Sequence, residues 1–170
     1  VTRIRKVISE NYGHFSELRE AVQEMEVDDV LSPAGRTKMG VCQFLLGKFS
    51  LALSTLQSAD GSAMAFFYQA RSQFELGNYD AAIAAYTQAQ KSGSNDDQCR
   101  IGIAEAHRYA GRVDEALNIL DNIFGPTEQT ADYMYHRAAT VSAVGGRLDE
   151  ALALYQRAVN TDEHHAGALF

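Results

Sequence analysis

Apolar residues along this chain fall in paired runs at helical spacing, and a glycine divides each pair. Reading onward from Gly13, Gly47, Gly77, Gly111 and Gly146 gives GHFSELREAV, GKFSLALSTL, GNYDAAIAAY, GRVDEALNIL and GRLDEALALY. Two residues after each glycine stands an apolar anchor: Phe15, Phe49, Tyr79, Val113 or Leu148. A short polar residue follows at once (Ser16, Ser50, Asp80, Asp114 or Asp149). Side chains of that type accept backbone N–H bonds, so each is expected to be the N-cap of a helix. Within that helix a small residue, Ala52, Ala82, Ala116 or Ala151, precedes by four a larger one, Leu56, Tyr86, Leu120 or Tyr155. A spacing of four puts both on one helical face. The small residue lets a neighbouring helix approach closely, and the larger one fills the groove.

The stretch before each glycine has the same helical character. Ser32-Pro33 reads as an N-cap with proline at the first helical position, and the run from Arg36 to Leu46 carries Met39, Val41, Phe44, Leu45 and Leu46. Ala63 to Leu76, Asp97 to Ala110 and Asp132 to Val144 repeat the pattern. Turn chemistry separates them, at Ala59-Asp60-Gly61-Ser62, Ser92-Gly93-Ser94-Asn95 and Gly125-Pro126-Thr127. Each unit is therefore helix, tight turn, helix and short loop. A glycine able to take positive φ closes the first helix. The glycines recur at intervals of 34, 30, 34 and 35 residues. A fixed period of this length marks small units stacked side by side, none of which buries its apolar face alone.

On these residues the chain resembles the tetratricopeptide repeat family, and the resemblance spans essentially all of it. Segments such as LGNYDAAIAAYTQA, Leu76 to Ala89, match the family pattern. The resemblance implies an all-α fold, a right-handed superhelical solenoid of antiparallel helix pairs. The units would run approximately over 1–31 (partial), 33–62, 63–96, 97–131 and 132–165, with 166–170 opening a further one. Both ends cut through a repeat, so the protein is expected to continue in both directions. There are departures from the pattern. The bulky aromatic early in the first helix is kept as Phe66 and Tyr135 but replaced by Arg36 and Arg100. The family's closing proline is absent from every unit, Pro126 lying in a loop, and Leu18 stands where alanine is usual. The interval of 30 removes about one helical turn between Leu56 and Ala63, which predicts a short second helix there.

The family pattern also implies that function lies on the concave surface lined by the first helices. Groove-facing positions would be Lys38, Val41 and Leu45, then Phe67, Tyr68, Arg71 and Phe74, then Gln98, Ile101, Glu105, Arg108 and Tyr109, and lastly Tyr133, His136, Arg137 and Thr140. Aromatic and arginine side chains dominate binding hot spots, since they combine contact area with directed donors. This set suits an extended or helical peptide carrying apolar and acidic residues. The alternative for several of the aromatics is packing between repeats. The lysine and asparagine clamp of chaperone-binding members is not reproduced by Thr37, Val41, Tyr68, Gln98 and Gly102, nor the asparagine ladder of glycosyltransferase members by Lys38, Tyr68, Gly102 and Arg137.

Composition narrows the choice. A net charge of −7 argues against nucleic acid, which needs a basic surface. No run of about 18 apolar residues is present to span a membrane. Cys42 and Cys99 lie in different units and read as buried thiols, not a disulfide or a CxxC metal site. The histidines at 14, 107, 136, 164 and 165 show no metal-ligand spacing, and no GxSxG, Walker A or GxGxxG element occurs. Asp96-Asp97 and Asp149-Glu150 sit at helix starts, where carboxylates favour the macrodipole. These observations point to a non-catalytic protein-interaction scaffold without cofactor. The alternative is a structural or regulatory arm of a larger enzyme or assembly machine, self-associating through its exposed ends. The acidic, signal-free chain with reduced-looking cysteines leans towards the cytoplasm, although a periplasmic piece would read the same.

Overall fold

The computed structural model describes residues 16–20, 22–25, 31–163 and 165. Gly13, Phe15, His14, His164 and the segment 166–170 lie outside the described residues, as does most of the first expected unit. Helix α1 is described at residues 16–20 and 22–25. Four antiparallel pairs follow: α2 (Pro33–Leu45) with α3 (Phe49–Gln57), α4 (Ala63–Glu75) with α5 (Tyr79–Lys91), α6 (Asp96–Tyr109) with α7 (Val113–Asp121), and α8 (Ala131–Ser142) with α9 (Leu148–Thr161). A 3-10 helix, Gly125–Gln129, precedes α8. The described residues contain no strand. The architecture is an all-α superhelix of stacked pairs.

The glycine turn works as its chemistry requires. At φ 78°, Gly77 donates its N–H to Phe74 O at 2.9 Å, and the next N–H, of Asn78, reaches Gln73 O at 2.9 Å. This is a Schellman closure, and it recurs at Gly47 and Gly111. The expected N-caps are corrected by it. The second helices begin at the anchors Phe49, Tyr79, Val113 and Leu148, so Ser50, Asp80, Asp114 and Asp149 lie inside the first turn. The cap positions are Lys48, Asn78, Arg112 and Arg147, none with a side-chain capping bond. The reason is economy of chain. The residue after glycine gives its N–H to the closing helix, while its carbonyl already accepts the first bond of the next, as Asn78 O does from Ala82 N at 2.9 Å. No residue remains between the two helices to serve as a separate cap. Asp80 instead pairs with Arg112 of the following unit at 2.6 Å. First helices, which follow looser loops, do have side-chain caps: Ser32, Ser62, Asn95 and Thr130.

The interior follows the small-and-large grammar. Ala52, Ala82, Ala116 and Ala151 are buried, as are Leu56, Tyr86 and Leu120. Cys99 is buried, but Cys42 is only half-buried, which corrects the pairing of the two as buried thiols. Burial raises the pKa of both.

Helix α3 has 9 residues against 13 in α5, as the short interval predicted. Helix α7 also has 9, although its interval is not short, because the 3-10 helix takes up the difference. The two arginines that replace the early aromatic belong to the units with these short helices. Arg36 Nε donates to Ser58 O at 2.6 Å, and Arg100 Nη2 donates to Asn122 O at 2.8 Å. Ser58 and Asn122 are the C-cap residues of α3 and α7. Where the second helix stops a turn early, a guanidinium therefore supplies a donor to its carbonyl end and a positive charge to the negative end of its dipole. Replacing Arg100 by methionine, which keeps an apolar stem and loses the donors, is expected to cost about 1 kcal/mol in urea denaturation. Unchanged stability would remove this capping role.

Candidate functional site

A concavity of about 230 Å³ opens between the first helices α4, α6 and α8. It is lined by Arg71, Phe74 and Glu75 of α4, Tyr86 of α5, Glu105 of α6, Asp132, Tyr135 and His136 of α8, and His165. Arg71, Phe74, Glu105 and His136 among the sequence-predicted residues thus come together. Beside it, Phe74 packs on Tyr79 and Tyr109 at centroid distances of 5.6 and 5.1 Å. The Arg108 guanidinium lies 4.4 Å over the Tyr109 ring, and Tyr109 is 52% exposed.

Other predicted residues do different work. Phe67 packs edge-on against Tyr68 and Tyr86. Tyr68 packs against Phe44, whose ring also carries the Arg71 guanidinium at 4.7 Å. Both aromatics are half-buried between repeats. Ile101 is buried in the core.

Tyr133, Arg137 and Thr140 do not face the groove. Tyr133 is 6% exposed and donates from its hydroxyl to Leu120 O at 3.2 Å. Arg137 is bound to Asp121 and lies 3.8 Å from Glu150, both on second helices. Thr140 is buried, its hydroxyl donating to His136 O at 2.8 Å. Tyr133 and Arg137 line a separate concavity of about 340 Å³ with Asp121 and Glu128.

The physical reason is a shift of register in α8. The link from α8 to α9 carries Val144, Gly145 and Gly146 between its caps, where the earlier links carry one glycine. The link is two residues longer, but α8 at 12 residues is one shorter than α4 at 13, so counting back from Gly146 misplaces the helix by one residue, which is about 100° of rotation. The packing shows the true register. Tyr135 meets Tyr155 at 6.0 Å as Phe67 meets Tyr86 at 5.5 Å, yet Phe67 lies ten residues before its glycine and Tyr135 eleven before Gly146. Asp132 and Tyr135 thereby enter the groove, and neither was among the expected site residues. The doubled glycine, Gly145-Gly146, was the available signal. Glu75 and Tyr86 were missed as well. Tyr86 reaches the concavity because Gly102 leaves it room: a Cβ there would stand 2.4 Å from the Tyr86 ring.

The electrostatics are mixed. Burial holds the Glu105 carboxyl above its ordinary pKa, although His136 and Arg108 pull it down. Arg108 Nη2 and His136 Nδ1 each lie 3.8 Å from Glu105 Oε1. His136 Nε2 stands 3.5 Å from Asp132 Oδ1, and this contact is the main reason that the Asp132 pKa is lowered; His165 adds to it from 3.7 Å. Burial raises the Tyr86 hydroxyl strongly. Among the described residues no group of three or more His, Cys, Asp or Glu is arranged to hold a metal ion, and no helix is long and apolar enough to cross a membrane.

Comparison with known proteins agrees with this architecture. A family model described as anaphase-promoting complex, cyclosome, subunit 3 matches residues 57–123, and one described as tetratricopeptide repeat matches residues 101–168. No curated protein matches the chain. Among solved structures the chain is similar to YrrB, described as a TPR protein with an unusual peptide-binding site, at 16% identity and a TM-score of 0.59, covering 90% of this chain and 78% of that one. It is similar to the APC/C hetero-tetramer Cut9-Hcn1 at 15% identity and a TM-score of 0.76, covering 91% of this chain but only 30% of that one. A thermophilic TPR protein of Thermus thermophilus is similar at 17% identity and a TM-score of 0.72, covering 96% and 89%. With its helix pairs, Schellman turns and small-and-large packing, the chain has the tetratricopeptide repeat fold, and the model described by that name matches its residues 101–168.

Proposed function

We propose that this chain is a non-catalytic scaffold that binds a segment of a partner protein along its concave groove. The observation that carries the reading is the aromatic rim, half-buried Phe74 and Tyr79 with exposed Tyr109, and Arg108 stacked above it, at the mouth of a concavity built from three successive first helices. Rigid aromatic area beside a polar hollow is the arrangement that concentrates binding energy in few residues. The peptide-binding site described for YrrB is in keeping with this use of the fold. Apolar side chains of the partner would lie on Phe74 and Tyr109. An acidic residue of the partner would find Arg71, because Arg108 stands near Glu105 and Arg137 is held by Asp121 and Glu150.

The test is affinity capture from the source cell with the wild type and with the Arg71→Ala, Tyr109→Ala double variant. Both side chains are exposed, so the melting temperature should be preserved. The variant is expected to bind the captured partner at least about tenfold more weakly, the cost of losing one or two hot-spot contacts. Undiminished binding would overturn the groove assignment.

A further inference from the structure

The concavity inside the groove has a charge opposite to the one that its arginines suggested. Three carboxylates line it, Glu75, Glu105 and Asp132, against one guanidinium, that of Arg71. The walls between them include the rings of Phe74, Tyr86 and Tyr135. Glu105 and Asp132 flank the imidazole of His136, one facing Nδ1 at 3.8 Å and the other Nε2 at 3.5 Å. His136 is nine-tenths buried, and its Nδ1 has no hydrogen-bond partner. Arg108 Nη2 and His136 Nδ1 both stand 3.8 Å from Glu105, beyond hydrogen-bond distance. Neither contact saturates this half-buried carboxylate, which stays open to a donor from a bound segment. Desolvation raises its pKa, outweighing the downward pull of His136 and Arg108.

We propose that the concavity receives an arginine side chain of the bound segment, its guanidinium set against the open faces of the Glu105 and Asp132 carboxylates, over His136, and against the surrounding aromatic rings. The assignment rests on the groove reading given above. Charge complementarity selects a cation, and the chain's net charge of −7 steers basic partners towards it. Arginine fits better than lysine. Its planar fork can address two carboxylates at once and stacks on aromatic faces, and it is more weakly hydrated than an ammonium on entering a partly buried site. A hollow of about 230 Å³ suits one long side chain, with the partner backbone running outside along the rim.

The experiment is selection of displayed random peptides on the wild type, followed by binding measurements with synthetic copies of the winners. The enriched peptides are expected to share one arginine, and exchange of that residue for citrulline, which keeps the shape without the charge, should weaken binding about tenfold or more. In the Glu105→Gln, Asp132→Asn double variant, with its fold checked by circular dichroism, the same exchange should change affinity less than about twofold, because the charge it removes has no partner left. Peptides that lack any basic residue but lose affinity on Tyr109→Ala would overturn the arginine assignment while leaving the groove reading intact. Equal affinity for the lysine analogue would overturn the choice of guanidinium. Binding insensitive to both Tyr109→Ala and Arg71→Ala would overturn the groove reading and this inference with it.

Discussion

Replacing Leu120 by alanine is expected to lower the unfolding free energy by about 3 kcal/mol, within the range of about 2–5 for fully buried leucines. Leu120 has no exposed surface and belongs to the largest buried cluster, with Ile101, Ile123, Tyr133 and Met134. Those residues come from α6, α8 and the link after α7, so the side chain joins two successive units. Its removal leaves a cavity with walls on several helices, and a solenoid held together by nearest-neighbour interfaces has no second core to compensate. Leu152 provides the contrast. It is 57% exposed on α9, and Leu152→Ala should change stability by no more than about 0.5 kcal/mol. Urea denaturation of the two variants tests this directly, and equal losses would show that the buried cluster is misassigned.

The second large effect is a change of sign. Alanine is the better helix former by about 1 kcal/mol, so Gly102→Ala in the middle of α6 should stabilise if propensity alone decided. Packing opposes it. A Cβ at Gly102 would lie 2.4 to 2.8 Å from three atoms of the Tyr86 ring, which is itself 5% exposed and cannot withdraw freely. Overpacking of this kind costs about 1–3 kcal/mol, and the net expectation is destabilisation. In a Tyr86→Ala background the obstruction is gone, and the same Gly102→Ala change is expected to stabilise by about 1 kcal/mol. A double-mutant cycle reads the reversal as coupling. Additive effects would mean that the two residues do not touch. Since Tyr86 lines the groove concavity, the pair also links the packing of two units to the shape of the binding surface.

Much of the fold could be read from residue types at fixed offsets, because helix pairing is a local matter. Gly77 announces its turn, and Ala82 with Tyr86 announces the packed face of the next helix. The site was harder to read. Arg71, Phe74 and Glu105, from units whose turn has its usual length, line one concavity together with His136. Tyr133 and Arg137 were misplaced because the longer link around Gly145-Gly146 shifts α8 by one residue, and a helix turns by about 100° for each. Arg36 and Arg100 looked like losses from the pattern. Their role appeared only when the ends of α3 and α7 were in place at Ser58 and Asn122.

The sequence by itself determined the helix pairs, their period, the glycine closures and the small-and-large grammar of the interface, because each depends on backbone conformation and side-chain size within a few residues. The tertiary structure decided which face of each first helix meets the groove, which arginines are already engaged, and that the hollow at its centre carries more carboxylates than cations. Those properties depend on the rotation of one helix against another and on partners drawn from separate units, down to a single residue of register.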